Sequence, residues 1–272
     1  MKYQILKNVL CCLAAISMSQ IVWAASIVKY EKRQPTQQHS ISNSIIVQCY
    51  VSEGIVKKSR AVVLHINEEN SLSSQHDIAV TTGHGFIDND GKTFNKCEVI
   101  GPSRKTYPIK TIKFAPNYKP GTASDWAVMS LPKMETEKIQ RYSVVDDKTG
   151  QEMELLARQN MPVLFSTARA YPQNGQSCIL YPRKYAGFTK QEHKGLLAHN
   201  CRAISGQSGS PVSVERDGHP ILIGIHIGNS FVLKVQDVDQ PPRFYGYMRV
   251  IDRAVLEAQI NLLINSEVPA LP

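Results

Sequence analysis

The chain has 272 residues, 42% of them hydrophobic and 20% charged, with 31 basic against 23 acidic side chains. That length suits one large domain or two modest ones. The basic residues are scattered and form no stripe interleaved with aromatics, which argues against nucleic-acid binding; the excess charge suits solubility or an anionic partner.

The amino terminus sets the expected compartment. Lys2 and Lys7 give a basic start, residues 8–22 are almost free of charge, and Val22-Trp23-Ala24 puts a small residue at a cleavage point before Ala25. As a membrane anchor the apolar run is too short and is interrupted by Ser17, Ser19 and Gln20, whereas a span needs ~20 apolar residues. Residues 1–24 therefore read as a signal peptide, and the protein as exported to periplasm or medium, with no membrane span after removal. Losing Lys2 and Lys7 leaves 29 basic against 23 acidic residues, a charge of +6. Residues 25–43 are polar, carry Lys32-Arg33, and read as a leader or propeptide.

Cys11 and Cys12 leave with the signal peptide; acylation of either is disfavoured because too little apolar sequence precedes them. Cys49, Cys97, Cys178 and Cys201 remain, an even number in an exported chain, which favours disulfides. Several pairings are open. Cys49–Cys97 and Cys178–Cys201 would staple one half of the chain each, for roughly 2–4 kcal/mol apiece. No Cys-x-x-Cys or His-x-x-x-His spacing points to a metal, and Asp88-Asn89-Asp90 reads adequately as a polar turn.

From Ser44 onward the pattern is β. Residues 45–51, 61–66, 78–82, 109–114 and 126–131 are rich in β-branched residues or alternate as half-buried strands do. After a charged stretch over 133–153, short strands resume at 162–168, 178–181, 195–198, 211–214, 221–227 and 245–250. Many short strands between Gly, Pro and Asn turns indicate an all-β fold. The tail differs: Asp252 can cap a helix in which Val255, Leu256, Gln259, Ile260 and Leu263 recur at helical spacing.

Three residues stand out for chemistry. His84 lies between Gly83 and Gly85 at a strand end, Asp125 opens the apolar strand Trp126-Ala127-Val128, and Ser208 sits in Gly206-Gln207-Ser208-Gly209-Ser210-Pro211. Singly they are a turn histidine, a capping aspartate and a turn serine. Together they supply a hydroxyl nucleophile, a base to take its proton and an acid to orient that base.

In that order they resemble a known family. Thr82-Gly83-His84, Ser124-Asp125-Trp126-Ala127-Val128 and the Ser208 hexapeptide are similar to the His, Asp and Ser segments of chymotrypsin-like (trypsin-fold) serine peptidases. The Gly-x-Ser-Gly-Ser-Pro form and Gly224-Ile225-His226-Ile227-Gly228 resemble the bacterial glutamyl endopeptidase branch. The resemblance implies an all-β fold of two six-stranded antiparallel β-barrels with a C-terminal helix: 44–135 and 155–250 as barrels, 136–154 as the linker and 251–265 as the helix. It implies a monomeric endopeptidase acting on protein or peptide substrates without a cofactor. His84, Asp125 and Ser208 would be catalytic, and the N–H groups of Gly206 and Ser208 the oxyanion hole. Arg202, His226 and Gly228 would line the substrate pocket, favouring an acidic or polar residue before the scissile bond. The bland alternative makes His226 a packed strand histidine and points Arg202 to solvent.

The departures carry meaning too. Gln207 replaces the aspartate that pairs with a newly cut amino terminus in activatable animal enzymes, so removal of 25–43 would not be that switch. Gly85 stands where many relatives carry a cysteine, and Cys49–Cys97 would be a substitute tie in that barrel. Two rivals remain: a catalytically silent member of the fold that binds a protein partner, and an α/β-hydrolase. The hydrolase wants Gly-x-Ser-x-Gly and the order Ser, acid, His, which this chain lacks.

Overall fold

The structure, a computed structural model, describes residues 44–52, 55–66, 75–88, 90–145, 150–165, 176–201, 203–232 and 243–267. The expected signal peptide (1–24), the leader (25–43) and Arg202 lie outside the described residues.

The first half forms one seven-stranded sheet from β1 (Ile45–Ser52), β2 (Ile55–Val63), β3 (His76–Thr81), β4 (Cys97–Ile100), β5 (Thr106–Pro108), β6 (Thr111–Phe114) and β7 (Ala127–Pro132). Its order is β5-β4-β1-β2-β3-β7-β6, and it curls into a half-barrel. The second half supplies β8 (Ser143–Val144), β9 (Pro162–Phe165), β10 (Gln176–Tyr181), β11 (Leu196–His199), β12 (Pro211–Arg216), β13 (His219–Val232) and β14 (Arg243–Val250). Their order is β12-β9-β10-β11-β14-β13-β8, and a further β12–β13 pairing closes six of these strands into a barrel. The pairing is antiparallel except for short β8, which runs parallel to β13.

Strand periodicity explains how the sheets pack. Alternate residues of a strand point to opposite faces. In β2, Ala61 and Val63 therefore fill the first half-barrel beside Ile45, Val47, Ala79, Met129 and Leu131. Val62 and Leu64 face the other way, into a seam shared with Trp126, Leu196, Leu222, Ile225 and Ile227. Strands buried on both faces read as unbroken apolar runs, which is the pattern of 61–64 and 221–225. The second barrel is filled by Val163, Phe165, Leu180, Leu197, Val212, Ile223 and Met248.

Two helices complete the described chain. α1 (Gly150–Arg158) falls in the stretch whose charge suggested a linker, yet Met153 and Ala157, four residues apart on one face, are buried in the core of the second barrel. α2 (Arg253–Glu267) begins where Asp252 was expected to cap it: Asp252 Oδ1 accepts the Val255 N–H at 3.2 Å. It buries Leu256, Ile260 and Leu263 in the seam, while Val255, expected on that face, is exposed. Cys49 and Cys97, directly opposite in β1 and β4, form one disulfide, and Cys178–Cys201 ties β10 to the segment after β11.

Candidate active site

β3 and β7 are neighbours, with Thr81 opposite Ala127, so the residue after one strand and the residue before the other emerge side by side. His84, in a short 3-10 turn (Gly83–Phe86), and Asp125 therefore meet. His84 Nδ1 lies 2.8 Å from Asp125 Oδ2, with 28% of the imidazole exposed and none of the carboxylate. Asp125 Oδ1 accepts the His84 backbone N–H at 2.9 Å, and Oδ2 accepts that of Gly121 at 2.7 Å. Burial of a charge is costly unless donors replace its water, and three N–H groups do so here. An ionised carboxylate only accepts, so Nδ1 carries the proton and His84 Nε2 is left as the basic nitrogen.

The turn itself is anchored from β2. Lys57 Nζ donates to the carbonyls of His84 and Ile87 at 2.6 and 3.0 Å. Burial pushes its pKa below the usual lysine range, opposed by the charges of Asp125 and Asp88. This ammonium ties the histidine turn, whereas Cys49–Cys97 ties β1 to β4 and does not involve that turn.

Ser208 is strapped into place through its backbone. Its carbonyl accepts the Arg60 N–H of β2 at 2.7 Å, and the Arg60 carbonyl accepts the hydroxyl of Thr81, three residues before His84. On the other side, Gly209 N–H donates to the His226 carbonyl at 2.7 Å and His226 N–H to the Ser210 carbonyl at 2.9 Å. Gln207 Oε1 accepts the Ile204 N–H, so Gln207 braces its own loop. Gly206 has φ +84, a left-handed conformation that a side chain resists. Among the described residues the backbone N–H groups of Gly206 and Ser208 find no acceptor, and no hydrogen bond joins Ser208 to His84. Nucleophile–base bonds often form only in the substrate complex.

The structure puts His226 and Gly228 on β13 and pairs His226 with a residue that sequence reading missed. His199 Nε2 lies 3.0 Å from His226 Nδ1, and His199 Nδ1 accepts the Cys201 N–H at 3.2 Å. Accepting at Nδ1 makes Nε2 the protonated nitrogen of His199. It therefore donates to His226 Nδ1, and His226 must carry its own proton on Nε2. Among the described residues that N–H has no acceptor. Phe165 packs against both rings, at centroid distances of 5.6 and 5.4 Å. Burial holds the His199 pKa down to about 3, and burial, followed by the charges of His199 and His84, holds His226 well below its ordinary value. Both rings are neutral at pH 7. Gly228 follows the irregularity between His226 and Gly228 in the β13–β14 register. Nothing local marks His199 or Lys57 in sequence: one ends an apolar strand, the other looks like a solvated charge beside Lys58.

Neutral burial has a testable sign. His199 protonates near pH 3 when folded and near 6.5 when unfolded, so between these values the unfolded chain binds more protons. Its contribution to stability is complete above pH 6.5 and is lost as pH falls toward 3, at up to about 1.4 kcal/mol per pH unit. Denaturant melts at pH 7 and pH 4.5 should show that loss in the wild type and a smaller one in His199→Gln. Imidazole NMR signals of His199 that titrate near pH 6.5 would contradict the burial argument.

No protein-family model matches this sequence, and no curated protein matches it. Among solved structures, kallikrein-related peptidase 10 in complex with Zn2+ matches with a TM-score of 0.53 at 12% sequence identity, over 86% of this chain and 100% of that one. At that identity the likeness speaks for the backbone arrangement alone: two barrel-like sheets and a C-terminal helix in the fold of the trypsin-like serine peptidases.

Proposed function

We propose that this protein is an exported serine endopeptidase with His84, Asp125 and Ser208 as its catalytic residues. The observation that carries the reading is the His84–Asp125 pair: a half-exposed imidazole whose Nδ1 is committed to a sealed carboxylate, with Nε2 left as base. Ser208, on a loop strapped to Arg60 and His226, supplies the hydroxyl. Ser208 Oγ attacks a peptide carbonyl while its proton passes to His84 Nε2. Collapse of the tetrahedral intermediate breaks the C–N bond, the same proton leaves with the amine, and an acyl-enzyme remains on Ser208. Water, deprotonated by Nε2, then releases the carboxylate product and restores the hydroxyl. The unspent N–H groups of Gly206 and Ser208 hold the oxyanion; removing one such donor typically costs ~3 kcal/mol of transition-state stabilisation. The mechanism requires no cofactor.

Among the described residues His226 Nε2–H is a neutral donor without an acceptor, which suits a carboxylate or amide side chain before the scissile bond, bound by hydrogen bond and not by ion pair. Arg202, which stands where relatives carry an acid or a small residue at the pocket base, would add positive charge. Two disulfides suit an oxidising compartment, consistent with removal of residues 1–24 on export. Lys57 acts through His84 as a positioning residue.

A fluorophosphonate probe should label the wild type and not Ser208→Ala; a folded wild type that resists labelling would leave the silent, partner-binding reading. Digestion of a peptide library should give cuts after Glu, Asp or Gln, and cleavage mainly after Lys or Arg would refute the pocket assignment. Lys57→Met should lower kcat about tenfold with KM little changed, about 1.4 kcal/mol in the barrier. Lys57→Arg should recover most of it and move the alkaline limb of the kcat profile upward. An unmoved alkaline limb would remove Lys57 from the mechanism.

A further inference from the structure

A cavity of about 420 Å³ lies outside the active site, where the segment leading to Asp125 meets β14 and the start of α2. Its walls are largely apolar, with Ala115, Ala123, Trp126 and Val255 among them, and Arg249 of β14 reaches it. The Arg249 guanidinium makes no hydrogen bond and no ion pair with any described residue, although it is half-buried. Burial pushes its pKa below the usual arginine value against the pull of Asp252, whose Oδ1 is engaged by the Val255 N–H. Its nitrogens keep contact with solvent, so five N–H donors face an open cleft in which the described chain supplies them no acceptor.

The seat for the guanidinium is nonetheless built. Gly195 has φ +92, and a Cβ there would collide with Arg249 Nη1. A glycine in the one position that any side chain would block lets the guanidinium lie against the backbone with its fork free. The charge balance of the lining also favours an anion. Lys119 is already paired with Glu192 at 2.7 Å, which leaves Arg249 and Lys194 in excess, moderated by nearby Asp252. A planar fork matches a carboxylate in bidentate fashion, and apolar walls suit a hydrocarbon body better than the hydration shell of a phosphate dianion. The volume is that of a small-molecule site.

From these we infer that the cavity is a binding site for a small apolar carboxylate, its oxygens on Arg249 and its body against Trp126, Ala123 and Val255. The same chemistry is offered by a free aryl or alkyl acid and by the carboxy-terminal residue of a peptide. None of these residues belongs to the candidate active site, and binding here does not depend on peptidase activity.

Isothermal titration of the full-length protein with 4-phenylbutyrate should show saturable binding, at least tenfold tighter than with 4-phenylbutanol. Arg249→Met should weaken it about tenfold or more, and Arg249→Lys by less, since charge persists without the fork. Ala123→Phe, which puts a ring into the cavity from its apolar lining, should abolish binding with Arg249 intact, so the test stands even where Arg249→Met fails to fold. A second arm uses N-acetyl-Leu-Phe with a free carboxylate: tighter binding than phenylbutyrate assigns the peptide terminus as the source, and weaker binding assigns the free acid. The proposal is overturned if phenylbutyrate does not bind, if the alcohol binds equally well, or if Ala123→Phe binds like the wild type.

Discussion

A carboxylate sealed completely from water, at Asp125, is the constraint around which the candidate site is arranged. A buried anion survives only where donors surround it, and the three donors found among the described residues are N–H groups of the turn after β3 and of the loop before β7. Two come from the histidine itself, one from its backbone and one from its ring. The same interaction therefore fixes both where the turn runs and which way the imidazole faces. Loss of the carboxylate would cost the turn its anchor and the ring its tautomer together. Lys57, holding the turn by its carbonyls from β2, bounds it from the opposite polarity.

The fold turns that local arrangement into a bipartite one. β2 and β3 each present one face to the first half-barrel and one to the seam, so the strands that carry His84 are rigid on both sides. The loop of Ser208 belongs to the second barrel but is hydrogen-bonded to the backbone of β2. Relative motion of the two sheets would have to break that Arg60–Ser208 bond, which makes the seam the element that sets the distance between Ser208 and His84.

The parts of this arrangement that were legible in sequence are those written locally. Runs of β-branched residues marked the strands because burial on both faces leaves no polar alternation to confuse them. The Asp252 cap and the apolar repeat behind it marked α2, and the small-residue settings of His84 and Ser208 marked turns that need room. What was not legible depends on partners far away in the chain. His199 meets His226 across 27 residues, and only strand register reveals that they touch. Lys57 looks like any surface lysine until the turn closes over it. α1 was hidden because, among its described residues, only Met153 and Ala157 are fully buried while Leu155 is exposed, and four residues' spacing in a charged stretch is a weak signal.

The proton arrangement of His199 and His226 reaches further than their two rings. It begins at the backbone N–H of Cys201, which fixes His199 Nδ1 as an acceptor and so dictates every nitrogen after it. Cys201 is held in position by its bond to Cys178. The second disulfide thus acts as the first member of a relay that ends in an N–H donor on β13. A chain still in a reducing environment lacks the fixed point from which that relay is read. Closing the Cys178–Cys201 bond would in this way set the tautomers of two buried histidines as well as tie the fold, so that oxidation of the sulfurs decides a proton's position on another strand.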